Sequence, residues 1–239
     1  MASKKYRDKY GLYLIEGDNL VFEAIKQGVA VRDIFISEGY KAKGDFSGRE
    51  PVILSEKLFK AAAQTESSQG IAAVLEKKSW SEEDFLKASH GKNILVLDRL
   101  QDPGNIGTII RTADATGYGG VIAVKGTGDI YSPKTVRAAA GSLFRMPVLF
   151  AGDAEAALKF IRGSGRKSVC ACPEKGTPYY EAGLSRDIAL LIGNEGNGLD
   201  RRFTEAADIK VSIPMEPCAE SLNAAVAAGI LMYEGKRFK

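Results

Sequence analysis

Histidine is nearly missing from this chain: His90 is the single one among 239 residues. That scarcity argues against chemistry that leans on imidazole, both Ser-His-Asp hydrolysis and histidine metal sites. His90 itself lies in a polar stretch, away from any glycine-rich loop. Cysteine is almost as rare. Cys170, Cys172 and Cys218 have neither zinc spacing nor the even count of a disulfide framework, so they read as reduced structural thiols. No metal is expected. Long apolar runs are lacking too, since nothing approaches the roughly 18 residues of a membrane span. The opening, Met1-Ala2-Ser3-Lys4-Lys5-Tyr6-Arg7-Asp8-Lys9, has no apolar stretch behind its charges. It therefore argues against a secretory signal, and the cytoplasm is the expected compartment.

What is present is ordinary in bulk: 45% hydrophobic and 26% charged residues, enough for a proper core in one or two domains. A formal charge of +3 is too small to demonstrate nucleic-acid binding, because phosphate neutralisation depends on local clustering. Lys4, Lys5, Arg7 and Lys9, interleaved with Tyr6 and Tyr10, form one such cluster; a frayed, solvated terminus explains them equally well.

The patterning predicts a small α/β unit over residues 1–75, with strands at Leu12–Ile15, Asp33–Ile36, Pro51–Leu54 and Ile71–Leu75. Helices are expected at Asn19–Gln27 and Glu56–Ala63. Residues 76–90 turn charged and polar and read as a linker carrying a short helix. Its Trp80 is expected to pack on a neighbouring domain, with nucleobase stacking as the second option. From 91 to 239, strands at Ile94–Leu97, Gly120–Val124, Ser168–Cys172, Ile188–Ile192 and Ile209–Ile213 alternate with helices at Asn105–Thr116, Lys134–Leu143, Ala154–Arg162 and Ser221–Lys236. Near-continuous apolar strands separated by helical lengths imply a parallel sheet covered on both faces. Such sheets bind ligands at the carboxyl ends of their strands.

Three polar, glycine-bearing segments fall at such ends. The first is Asp102-Pro103-Gly104-Asn105-Ile106-Gly107-Thr108-Ile109-Ile110-Arg111. Asn105 there is placed to cap a helix or to contact a ligand. Gly107, Arg111 and Ala115 share a face, so small residues flank the guanidinium, and an exposed ion pair with Asp114 is its bland alternative. The second is Ile192-Gly193-Asn194-Glu195-Gly196-Asn197-Gly198-Leu199, which has neither the G-x-G-x-x-G dinucleotide spacing nor a Lys-Ser/Thr P-loop ending. On its own, Glu195 reads as a carboxylate bracing the loop. The third runs from Ile213-Pro214-Met215 to Ser221-Leu222-Asn223, where Ser221 reads as the helix cap and Asn223 lies in the first turn.

Together these segments resemble the three motifs of the SpoU-type (TrmH family) RNA 2'-O-ribose methyltransferases of the SPOUT superfamily. Asn105, Arg111, Glu195, Ser221 and Asn223 match that family's catalytic polar set. Leu14-Ile15-Glu16-Gly17 and Thr65-Glu66-Ser67-Ser68-Gln69-Gly70-Ile71 resemble its ribosomal-protein-like RNA-binding domain. Ala140 departs from the pattern, since many relatives carry serine there. The resemblance implies a trefoil-knotted parallel-sheet domain following a small α/β RNA-binding domain. It implies S-adenosylmethionine held largely by main-chain groups, with Gly193, Ile213 and Leu222 as contacts. It also implies a homodimer whose active site takes an arginine from the partner. The appended first domain favours a folded RNA substrate, with rRNA expected in preference to tRNA. The competing readings are a non-catalytic RNA-binding protein on the same fold and an RNA base methyltransferase.

Overall fold

A computed structural model describes residues 3–63, 68–172, 176–218 and 221–237. The chain begins with α1 (Lys4–Tyr10), β1 (Leu12–Glu16), α2 (Asp18–Lys26), β2 (Val31–Ser37), β3 (Val52–Leu54), α3 (Glu56–Ala62) and β4 (Ile71–Glu76). The four strands form one sheet in the order β1-β4-β2-β3. Strand β4 runs antiparallel to both neighbours, while β2 and β3 run parallel. The turn from β1 into α2 requires Gly17, whose φ is +98°. A Cβ there would sit 3.0 Å from Gln69 Oε1, the same oxygen that accepts the Asp18 amide at 2.9 Å. Gln69 thus closes the motif across the sheet; Thr65, Glu66 and Ser67 lie outside the described residues.

Helix α1 was not expected from the sequence. It forms because Arg7 is drawn inward: it is 4% exposed and its Nε donates to Asp129 Oδ2 at 2.9 Å. Asp8 pairs with Lys77 at 2.7 Å. The basic cluster is therefore anchored rather than frayed, and Lys4, Lys5 and Lys9 remain exposed around the anchor.

Next come α4 (Glu82–Ala88), β5 (Ile94–Leu97), α5 (Pro103–Thr116), β6 (Val121–Val124), α6 (Pro133–Ala139), β7 (Val148–Ala151) and α7 (Ala154–Gly163). The remainder is β8 (Lys167–Ala171), β9 (Thr177–Pro178), β10 (Ile188–Ile192), α8 (Arg201–Ala206), β11 (Ile209–Ser212) and α9 (Ala224–Glu234). These strands form a second sheet, β7-β6-β5-β10-β8-β11-β9, in which every pairing is parallel. Strands β7 and β9 and helix α8 had no clear signal in the sequence, being short and, in β7 and β9, at the sheet edges.

Burial alternates along the central strands as the pleat demands. Leu95, Leu97, Leu190 and Ile192 face a core built with α5, α6, α9 and the first unit. Ile94, Val96, Ala189 and Leu191 face the opposite core, with Phe160 and Ile161 of α7 and Phe203 of α8. Phe85 of α4 belongs to that second core, edge-on to Phe160 at 5.6 Å. The first unit packs against α6 and its surroundings, with the Tyr13 and Tyr131 rings 5.0 Å apart. No described helix is long and apolar enough to cross a membrane.

The sheet order positions the site. From β5 the chain steps outward to β6 and β7, then crosses, and β10 later enters between β5 and β8. The order reverses at β5 and β10, and such a reversal opens a crevice at the strands' carboxyl ends.

Candidate active site

The loop leaving β5 is folded around a buried acid. Asp98 is 1% exposed, accepts two hydrogen bonds from the Arg99 guanidinium at 3.0 Å each, and accepts the Asp200 amide at 2.7 Å. Arg99 adopts φ +55°, turning the chain sharply. Gln101 then ties its side-chain amide to the carbonyls of Arg99 and Gly126, at 2.9 and 2.7 Å. None of these bracing roles was anticipated from the sequence; an Asp-Arg pair directly after a buried strand was the available signal.

Asn105 does not cap α5. The cap is Asp102, whose Oδ1 accepts the Asn105 main-chain N–H at 2.8 Å, with Pro103 opening the helix. That N–H, followed by Lys134, holds the Asp102 carboxyl below its ordinary value. The Asn105 side chain is thereby free to act elsewhere. Its Nδ2 donates to Glu195 Oε1 at 3.1 Å, and its Oδ1 accepts from Asn223 Nδ2 at 3.0 Å.

The loop after β10 is stapled by Asn194. Its main chain exchanges two hydrogen bonds with Gly198, and its Oδ1 accepts the amides of Gly196 and Asn197 at 3.0 and 2.9 Å. Gly193 must be glycine, because a Cβ would lie 2.4 Å from the Gly198–Leu199 backbone. The staple turns Glu195 toward the β5 loop, where it also accepts the main-chain N–H groups of Gln101 and Asp102, at 3.2 and 3.4 Å. Burial pushes the Glu195 carboxyl up, but the Asn105 amide and these main-chain donors outweigh it and hold it below the ordinary value. Glu195 is thus an ionised acceptor, not a poised base.

At the third motif the cap is Asn223, not Ser221. Asn223 Oδ1 accepts the amides of Ala225 and Val226, at 2.9 and 3.3 Å. Ser221 and Leu222 precede the helix and are exposed, and Ser221 has no hydrogen-bond partner among the described residues. Asn223 was preferred at this position by geometry, since its φ and ψ of −53° and 138° are those of a residue entering a helix. Helix α9 lies along α5, with Lys236 Nζ donating to the Ala115 carbonyl at 3.0 Å.

One continuous hydrogen-bonded chain therefore joins the three motifs: Glu195, Asn105, Asn223 and the first turn of α9. Arg111 stands outside it. It is exposed and makes no hydrogen bond or ion pair among the described residues. Asp114, its expected partner, is bound instead by Arg145 at 2.6 Å. Gly107 leaves no room for a ligand either: it is buried, and a Cβ would meet Ala138 Cβ and the Thr135 carbonyl at 2.5 Å. Its smallness serves the close packing of α5 on α6.

The crevice also suits a ligand held by main-chain groups. Among the described residues, the main-chain N–H groups of Gly193, Ile213 and Leu222 have no hydrogen-bond partner, and all three residues are at least partly accessible. Acidic, thiol or imidazole side chains that could hold a metal do not gather in groups of three or more anywhere among the described residues.

Comparison with known proteins gives this arrangement a lineage. Residues 92–233 match the model of the SpoU rRNA Methylase family, and residues 1–73 match an MRM3-like substrate binding domain. The 23S rRNA (guanosine(2553)-2'-O)-methyltransferase RlmP of Bacillus subtilis is 39% identical, over 98% of this chain and 92% of its own length. The AdoMet-bound rRNA methyltransferase of Sinorhizobium meliloti superposes with a TM-score of 0.87 at 31% identity, covering 99% of this chain and 91% of that one. AviRb of Streptomyces viridochromogenes, a SpoU methyltransferase solved with AdoMet, gives 0.85 at 27% identity, covering 99% and 93%. With more than half of its length matched by one family model, and with a full-length relative this similar, the chain belongs to the SpoU rRNA methylase family.

Proposed function

We propose that this chain is an S-adenosylmethionine-dependent RNA 2'-O-ribose methyltransferase acting on rRNA. The observation that carries the assignment to these residues is the Glu195–Asn105–Asn223 chain, which gathers three loops at the sheet's reversal point. The rRNA class comes from the Bacillus subtilis and Sinorhizobium meliloti relatives, both named for rRNA. Residues 1–75 are assigned to RNA binding, 76–90 to the connection and 91–239 to methyl transfer, all in the cytoplasm. A knotted carboxyl-terminal path, as in the family, is supported by β10 and β11 entering between strands laid down earlier.

When bound, S-adenosylmethionine supplies a methyl group already activated by its sulfonium. The amides of Gly193, Ile213 and Leu222 would hold it. The protein's task is to place the ribose 2'-hydroxyl in line and to stabilise the charge that develops on its oxygen. Arg111 is assigned that charge and a neighbouring phosphate, because a guanidinium donates well and barely deprotonates. Ser221 is assigned a contact with the hydroxyl. Asn105, Glu195 and Asn223 hold the loops in register, so that Ser221 and the cofactor amides keep their geometry.

We infer a homodimer as well. Helix α9 is apolar on all sides, yet Val226 and Tyr233 are 51% and 56% exposed, with Leu222 at 38% just before it. A helix hydrophobic all round expects burial on all sides. A second copy on this face would stand beside Asn223 and bring its own Arg111 close.

The deciding experiment is transfer of labelled methyl from S-adenosylmethionine to unmodified rRNA and tRNA transcripts, with digestion to nucleosides. Label on a ribose of rRNA, abolished in Arg111→Ala, is the expected result. Label on a base would move the assignment to a base methyltransferase. Absence of both label and cofactor binding would leave an RNA-binding protein.

A further inference from the structure

A second concave surface opens at the carboxyl ends of β6 and β7, facing α1 and the segment between β4 and α4. It is a groove of about 710 Å³ whose walls include Lys4, Lys78, Trp80, Lys125 and Phe150. Its charge is one-sided. The lining acids are already taken, Asp8 by Lys77 and Asp129 by Arg7. Lys4, Lys78 and Lys125 have no carboxylate partner among the described residues, and all three are exposed. Trp80 is half-buried at the same wall, with Lys78 Nζ 3.9 Å from its ring centroid. Phe150 adds a second ring, 62% exposed.

The groove is also wired to the active site. Its Gly126–Gly128 wall is bound to the β5 loop through Gln101 to the Gly126 carbonyl, through the Arg99 amide to Thr127 Oγ1, and through the Gly128 amide to the Leu100 carbonyl. The next amide along, that of Gln101, binds Glu195. A polymer lying in the groove would thus leave it beside the motif loops.

Unpaired lysines with interleaved aromatic rings are what a flexible strand of nucleic acid requires: cations for phosphates, and a π-face for bases regardless of sequence. We propose that this groove is a single-stranded RNA track, in which Trp80 stacks a nucleobase and Lys4, Lys78 and Lys125 hold the flanking phosphates. The inference rests on the RNA methyltransferase reading and extends it, by giving the strand next to the target nucleotide its own binding surface.

Trp80 is the chain's single tryptophan, so its emission reports on this groove alone. The full-length protein would be titrated with oligo(A) and oligo(U) of about ten nucleotides, a length within the range a single-strand groove spans. Quenching of Trp80 at saturation is expected. Trp80→Ala should weaken oligo(A) binding about tenfold by filter assay, with Trp80→Phe recovering most of it. Lys78→Glu with Lys125→Glu should weaken binding further and flatten its salt dependence. Cofactor binding by calorimetry, unchanged in each variant, shows that the fold is intact. Unaltered emission at saturating RNA, or a charge-reversed variant that binds as tightly as the unaltered protein, overturns the proposal. Methyl transfer run in parallel separates the two readings. Quenching without transfer to any RNA would sink the enzyme assignment and leave the groove standing; transfer without quenching would do the reverse.

Discussion

Asn223 donates its side-chain amide to Asn105 Oδ1 at 3.0 Å, joining residues 118 positions apart at the starts of two neighbouring helices. Asn105 passes the connection on to Glu195 at 3.1 Å. An asparagine is the right middle member, because it donates to a carboxylate on one side and accepts from an amide on the other. Neither an ionised aspartate nor leucine, similar in size, can do both.

The direction of this chain makes a pH prediction. In the unaltered protein Glu195 titrates below its ordinary value, so its stabilising effect is present above about pH 4.3 and is lost as pH falls through the lowered value. Between pH 5 and 8 it should contribute no slope. Asn105→Asp would place a second carboxylate against the first, and such a pair shares a proton, raising one pKa. The folded state then binds more protons than the unfolded one, and stability must fall as pH rises. A melting temperature higher at pH 5 than at pH 8, after subtraction of the unaltered protein's profile, is the expected result. A flat difference would mean that the side chains separate.

Capping and chemistry can be split at the third motif. Asn223→Ala removes two cap bonds and the link to Asn105, and should cost about 1–2 kcal/mol of stability. Ser221→Ala removes no bond seen among the described residues and should leave stability within about 0.5 kcal/mol. If Ser221 touches the ribose hydroxyl, its variant should nevertheless lose activity at least tenfold with cofactor affinity intact. Urea unfolding and single-turnover methylation, measured on both variants, would test this; equal activity in Ser221→Ala removes it from the site.

The parallel sheet was legible because β5 and β10 are unbroken apolar runs, and their ends coincide with the structure to the residue. The motif loops were legible as loops. Their internal roles were not, because capping competes locally: Asp102 sits three residues before Asn105, and Asn223 two after Ser221, so either member of each pair could cap by sequence alone. The long-range bonds Asp98–Asp200 and Arg7–Asp129 carry no local signal at all. Helix α1 followed from one of them, which is why a seven-residue basic segment escaped prediction.

That second bond should matter for stability. The side chains of Arg7 and Asp129 are only 5% and 13% exposed, so removing Arg7 leaves the Asp129 carboxylate buried without its guanidinium. Arg7→Ala should cost about 3–5 kcal/mol, which at this chain length corresponds to a loss of about 6–20 °C in melting temperature. Arg7→Met combined with Asp129→Leu should recover much of the loss, since apolar replacement of a whole buried pair is often neutral. Calorimetry of both single variants and the double variant gives the coupling directly; additive losses would show that the pair does not act as a unit.

The last prediction concerns where Arg111 acts. Its guanidinium is absent from the hydrogen-bonded chain of its own subunit, while the apolar α9 beside that chain leaves Val226 and Tyr233 uncovered. If a second copy covers α9, Val226→Glu should convert the protein from dimer to monomer in sedimentation and remove methyl transfer. Subunit mixing then decides the geometry. Arg111→Ala and Ser221→Ala are each expected to be inactive alone. Should Arg111 reach into the partner's site, a mixed dimer concentrates both defects in one site and leaves the other intact. A one-to-one mixture after subunit exchange would recover up to about a quarter of full activity, by the statistics of two-fold pairing. Should Arg111 serve its own subunit, every site in the mixed dimer carries one defect, and the mixture stays as inactive as its components.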